Sequence, residues 1–112
     1  MARKRLPVDF SETAEQDLRA IHEYIARDKP KAAARWVREA KRRINLLRTV
    51  PLGFEIMPEM AEFGIECRQI LHGRYRIIYL VKRGRVRIIR ILDAARILTP
   101  ALLGLELPES DE

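Results

Sequence analysis

The stretch from Arg74 to Lys82 limits the possible folds most strongly. Tyr75, Ile77, Tyr79 and Val81 alternate with Arg74, Arg76, Ile78, Leu80 and Lys82. This is the two-residue period of a strand, rich in aromatic and β-branched side chains. It is bounded by His72-Gly73 on one side and Arg83-Gly84 on the other, and glycine supplies the positive φ that a tight hairpin needs. Strand-like runs over 65–71 and 85–92 flank it. The prediction is a three-stranded antiparallel meander whose middle strand turns Tyr75, Ile77, Tyr79 and Val81 to one side and the arginines to the other.

Something must cover the apolar side, and the first half of the chain supplies it. Leu6, Val8 and Phe10 alternate with polar residues and read as a short strand, placed at a sheet edge by Pro7, which has no N–H to donate. Ser11 suits an N-cap, with Glu12 and Glu15 near the positive end of the helix that follows. Ala14, Leu18, Ile21 and Ile25 then form one helical stripe. Asp28-Lys29-Pro30 ends that helix, and Pro30 also fits the first turn of a second one. The second stripe is Ala33, Val37, Ala40, Ile44 and Leu47, widened by Trp36, with Lys41, Arg42 and Arg43 on a solvated side. The short connection makes the two helices an antiparallel hairpin.

The expected fold class is therefore α+β: a strand, a helical hairpin, then the meander, with both helices packed on one face of the sheet. The opposite face is expected to be partly open and basic. Residues 51–63, with Pro51, Gly53 and Pro58, read as a loop, and the apolar run 97–105 has no clear period. It is expected to add an edge segment or to be covered by a partner. A length of 112 residues makes a single domain over 1–112, with a tail from about 97.

The charge is uneven. Residues 68–96 hold eight Arg and one Lys against Asp93 alone, a net of +8, within a chain of net +6. Residues 55–66 hold Glu55, Glu59, Glu62 and Glu66 with no base, and the end from Glu106 to Glu112 adds a net of −4. So dense a basic block points to an anionic partner: nucleic acid, phosphate groups or an acidic protein segment. Cys67 is the one cysteine, which excludes an intrachain disulfide and a Cys-rich zinc site. No apolar segment follows the basic N-terminus, and no run reaches membrane-spanning length, so a cytoplasmic protein with no membrane association is expected.

Taken together, several pieces resemble the RelE/ParE superfamily of toxins from type II toxin–antitoxin systems. They are Val8-Asp9-Phe10-Ser11 leading into Asp17-Leu18, Gly64-Ile65-Glu66-Cys67-Arg68, the central Gly73-Arg74-Tyr75-Arg76-Ile77-Ile78-Tyr79, and Leu92-Asp93-Ala94-Ala95-Arg96. The resemblance covers about residues 6–98. It implies either of two activities: cleavage of messenger RNA on the ribosome by RelE-like members, or poisoning of DNA gyrase by ParE-like members. RelE-like nucleases carry arginines at the positions of Arg76 and Arg96, lysines on the preceding strand and a tyrosine near the C-terminus. This sequence keeps the arginines, but its preceding strand offers Cys67, Arg68, Gln69 and His72 without a lysine, and no tyrosine follows Tyr79. Arginine stays protonated and cannot act as a base.

The resemblance thus leans to the ParE side: a gyrase inhibitor acting by protein contact, with no catalytic residues and no cofactor. Its expected partners are a cognate antitoxin, with which it forms a hetero-oligomer, and DNA gyrase. The expected partner-binding residues are Arg68, Arg74, Arg76, Arg90 and Arg96. In the alternative, a ribosome-dependent messenger-RNA endoribonuclease, His72 is the base beside Arg76 and Arg96. A third reading is an antitoxin-binding module without toxicity. Against these stand plainer readings: His72 as a surface turn histidine, Cys67 as a structural thiol, and Tyr75 and Tyr79 as core residues. Pairing across the Arg83-Gly84 turn sets Arg76 opposite about Ile91. That suggests that Arg76 and Arg96 converge on one anion and that either can be removed with little loss of stability.

Overall fold

The computed structural model describes residues 4–108. Met1–Arg3 and Glu109–Glu112, and with them part of the basic start and most of the acidic end, lie outside the described residues. The element order is β1 (Val8–Phe10), α1 (Glu12–Ala26), α2 (Pro30–Leu46), α3 (Pro58–Ala61), β2 (Arg68–His72), β3 (Tyr75–Lys82) and β4 (Arg85–Asp93). The sheet order is β1-β4-β3-β2, so β1 is an edge strand as Pro7 requires. β1 runs parallel to β4, and β2, β3 and β4 form the antiparallel meander.

Local chemistry sets the helix ends. Ser11 is the N-cap of α1: its Oγ accepts from Ala14 N at 3.0 Å and donates to Ile89 O at 2.9 Å, which ties the cap to β4. Pro30 opens α2, where its missing N–H has no helical partner to lose. The two stripes then close on the sheet. Ala14, Ile21, Ala40, Ile44 and Leu47 pack with Ile70, Tyr75, Ile77, Tyr79, Val86, Ile88 and Ile91. The Tyr79 hydroxyl finds its partner in Pro51 O at 2.8 Å.

The opposite face departs from expectation. It is not an open basic surface but a second core of Met57, Met60, Cys67, Ile78, Ile89, Leu92, Leu98 and Leu103. The cover is irregular: the segment around α3 from one side, and the turn at 97–105 from the other. The apolar run 97–105 therefore lies on its own sheet face and is not an edge segment. Edge strand β2 is partly blocked by the same loop, through Met57 N to Cys67 O (2.9 Å) and Gln69 N to Glu55 O (3.1 Å). An Arg43 guanidinium donates to Leu71 O farther along that strand.

The strand register also corrects the expectation. From the turn to Tyr79↔Ile88 the pairing is as predicted, but it shifts between Ile78 and Tyr79, where Ile89 is the extra residue. Arg76 therefore pairs with Leu92 and not with Ile91. The bulge shifts the phase of β4, so that Ile91 rejoins Val86 and Ile88 in the helix-covered core, three residues after Ile88, while Ile89 and Leu92 enter the other.

Candidate partner-binding site

Arg76 stands at the centre of the predicted site, and the structure buries it, at 8% exposure. Its cross-strand neighbour on β2 is Leu71. Nη1 donates to Glu59 Oε2 at 3.0 Å and to Gln69 Oε1 at 3.2 Å. Nη2 donates to the carbonyls of Ala94 and Arg96, both at 3.2 Å. Gln69 is itself held, Nε2 to Glu55 Oε1, at 2.7 Å. A buried guanidinium needs a counter-charge and full donor use, and the chain provides most of this itself. Only Nε lacks a partner among the described residues. Arg76 thus clamps α3, β2 and the segment after β4 onto one sheet face.

The expected convergence of two guanidiniums on an outside anion is corrected accordingly. The carboxylate at Arg76 is Glu59 of the same chain, and Arg96 contributes its carbonyl, while its side chain is exposed.

Two other predicted arginines are also engaged internally. Arg90 forms a two-point pair with Asp17 of α1 (Nε to Oδ2 2.8 Å, Nη2 to Oδ1 3.1 Å) and donates to Leu102 O at 2.8 Å. Arg68 donates to Phe54 O at 2.7 Å and to Leu52 O at 3.3 Å, and pairs with Glu66 at 3.2 Å. Each of these clamps fastens a loop by its carbonyls, a use for which the planar fork of arginine is suited. Arg74 differs: it is exposed, with Nε and Nη2 on Asp93 Oδ2 at 3.0 and 2.8 Å. The hydrogen bond to Asp93 and its charge raise the Arg74 pKa. The Asp93 carboxyl is lowered first by the Ala95 N–H and then by Arg74.

His72 is not a surface turn residue, as the plainer reading had it. It is buried, with Nε2 3.0 Å from Trp36 O and its ring 5.0 Å from the Trp36 ring. Trp36 also meets Tyr75 edge-on at 5.4 Å. Cross-strand pairing with Tyr75 puts His72 on the helix-covered face, whereas Arg76 lies on the other. The predicted set of His72, Arg76 and Arg96 is therefore split by the sheet. Cys67 is buried against Met57, Sγ to Sδ 3.5 Å, and burial followed by the Glu59 charge pushes its pKa up to about 11. A protonated thiol in this setting is no nucleophile.

The exposed side chains next to Arg76 are Leu71, its cross-strand partner, at 54% exposure, and Arg96 and Ile97 (88%) of the segment that Arg76 holds; Arg74 turns instead to the helix-covered side, over the Tyr75 ring and onto Asp93. A cationic head beside two exposed aliphatic side chains suits an acidic, amphipathic protein segment. Sequence reasoning missed Glu59, Gln69 and Asp17 as the internal partners. The acidic stretch 55–66 was the available signal, because buried arginines need acids of their own chain.

Comparison with known proteins fits this geometry. The family model described as "ParE toxin of type II toxin-antitoxin system, parDE" matches residues 8–98. Among solved structures the chain is similar to one from the "Chromosomal ParDE TA system from P. aeruginosa", with TM-score 0.66 and 18% identity over 80% of this chain and 97% of that one. At that identity the likeness shows a shared fold. Comparison with curated proteins gives no match.

Proposed function

The chain belongs to the ParE toxin family of type II toxin–antitoxin systems, and on that premise we propose that it acts on DNA gyrase by protein contact and is neutralised by a cognate antitoxin. The observation that carries the non-catalytic part is the separation of His72 and Arg76 by the sheet. Cleavage of RNA by 2′-OH attack needs a base at the 2′-hydroxyl and a cation on the adjacent phosphate, both within hydrogen-bond reach of one nucleotide. Here the imidazole is turned to the Trp36 carbonyl, and the Arg76 donors are turned to Glu59, Gln69 and two carbonyls. The exposed Arg96, Leu71 and Ile97, with Arg74 on the other face at the same end of the sheet, are the surface we assign to the antitoxin, and basic charge there steers an acidic segment.

The test uses two readouts on the purified chain. In a gyrase reaction with plasmid DNA and ATP, supercoiling should fall or cleaved DNA accumulate, and the antitoxin should reverse the effect. In a translating ribosome reaction, messages should stay whole. Intact gyrase activity together with cleaved messages would reverse the proposal.

A further inference from the structure

The β3–β4 turn carries a concentration of charge that neither the family reading nor the rim around Arg76 uses. Lys82, Arg83, Arg85 and Arg87 line a groove of about 350 Å³ with Leu80 as its one apolar wall. Two features make this arrangement unfavourable for the free protein. Lys82 and Arg85 are direct cross-strand partners, and like charges in that position repel. Arg83 has φ 52°, a left-handed conformation, next to Gly84 at φ 73°. A two-residue turn with both φ positive favours Asn-Gly, and an arginine at its first position is strained. Asp9 answers part of the charge, 2.7 Å from Arg87 and 3.6 Å from Arg85, while Lys82 and Arg83 have no ion pair among the described residues. Pro7 O accepts from Val86 N, so β1 begins at the same end of the sheet, just after the exposed Lys4 and Arg5.

We infer that this hairpin tip is a binding site for the phosphodiester backbone of a nucleic acid, read without regard to sequence. Repulsion confined to one exposed turn is relieved by an anion placed between the heads, and a strained φ at Arg83 is a cost that keeps a cation where Asn would fit better. A strand's alternate residues lie about 6.8 Å apart, so Arg85 and Arg87 span two charges of a duplex strand, spaced about 3.4 Å along its axis. An acidic peptide is the weaker occupant, because the charge here is a cluster of four cationic heads at a turn and the exposed strand edge that peptide docking by strand addition needs is absent from this tip, β3 and β4 being paired with each other. The inference stands apart from the gyrase reading.

The test measures binding of the full chain to two labelled probes, a mixed-sequence DNA duplex of roughly 20 base pairs and a single-stranded RNA of similar length. With about three phosphate contacts, duplex affinity should fall about 40-fold between 50 and 200 mM salt. The tighter probe identifies which nucleic acid supplies the backbone. Lys82→Gln combined with Arg85→Gln should weaken binding at least tenfold at 50 mM salt and reduce the salt slope by about one for each contact removed. Arg83→Asn is the sharper variant: it removes the charge but suits the turn, so it should weaken binding while raising the melting temperature. Lys31→Gln, an exposed charge in the first turn of α2, should bind as the parent does.

No binding of either probe at 50 mM salt would overturn the inference. So would binding that survives the tip substitutions, or a melting temperature that falls on Arg83→Asn. Displacement of both probes by a glutamate-rich peptide of equal charge, at a lower concentration than unlabelled duplex, would reassign the tip to an acidic protein.

Discussion

Ile77 and Arg76 are neighbours in β3, yet they enter opposite faces of the sheet that are closed by different means. Ile77 meets the helical hairpin, where two stripes of small and branched side chains fill the space. Arg76 meets loops, and its donors reach carbonyls and a carboxylate that the loops bring to it. Regular helices satisfy their own backbone and need only apolar contact to dock. Irregular segments arrive with unpaired carbonyls, and a buried arginine supplies several donors at once. The basic character of β2 to β4 thus serves internal fastening at Arg68, Arg76 and Arg90 and remains available to partners at Arg74, Arg96 and the β3–β4 tip.

The largest expected effect comes from breaking the helix-covered face. Ile77→Ala should cost about 2–5 kcal/mol, the range for removing a fully buried branched side chain, measured by denaturant unfolding. Arg76→Ala comes next, at about 2–3 kcal/mol. That lies below the cost of orphaning a fully buried ion, because Glu59 is half exposed and water can solvate what is left. This replaces the expectation from sequence that Arg76 can be removed with little loss of stability. If Arg76→Ala melts with the parent protein, the clamp has no energetic weight.

A smaller effect concerns Cys67 in the second core. Its folded pKa is raised, so the stability that it contributes is complete below its ordinary value of about 9. It is lost as pH rises through about 11. The parent should therefore lose more stability over that window than Cys67→Ala does, and native Cys67 should resist alkylation at neutral pH. Equal slopes for the two proteins would show that the thiol is not buried as described. The smallest effect on stability is expected at the rim. Arg74→Gln and Arg96→Gln should each leave the unfolding midpoint close to that of the parent, as changes at exposed charges do, while weakening antitoxin binding. Unchanged affinity in both would remove the rim from the interface.

How far the sequence could be read follows the same division. The helix-covered face was legible because its signals are local and periodic: the Ala14–Ile25 and Ala33–Leu47 stripes, the Ser11 cap, and the alternation of Tyr75, Ile77 and Tyr79. The second face was not, because residues 51–66 and 97–105 have no period and α3 is a single turn. The parallel pairing of β1 with β4 joins residues far apart in sequence and leaves no local trace. The bulge did leave one: adjacent Ile88 and Ile89 break the alternation of β4, which is what an extra residue does. For the site, alternation alone separates His72 from Arg76, once His72 is counted as the cross-strand partner of Tyr75. Burial of Arg76 was hidden because its acid, Glu59, sits 17 residues away in a loop.

The central claim, that arginine clamps fasten the irregular segments that carry the second core, is tested most directly by hydrogen exchange in three proteins. The amides of Leu103, Gly104 and Leu105, bonded within the 97–105 turn, should exchange by a local opening of that face in the parent. Arg76→Ala should speed them at least tenfold, whereas Ile77→Ala should leave them unchanged; the central amides of α2, which exchange only through global unfolding, should respond to both. If the turn's amides ignore Arg76→Ala, or respond equally to both substitutions, the clamp account is contradicted.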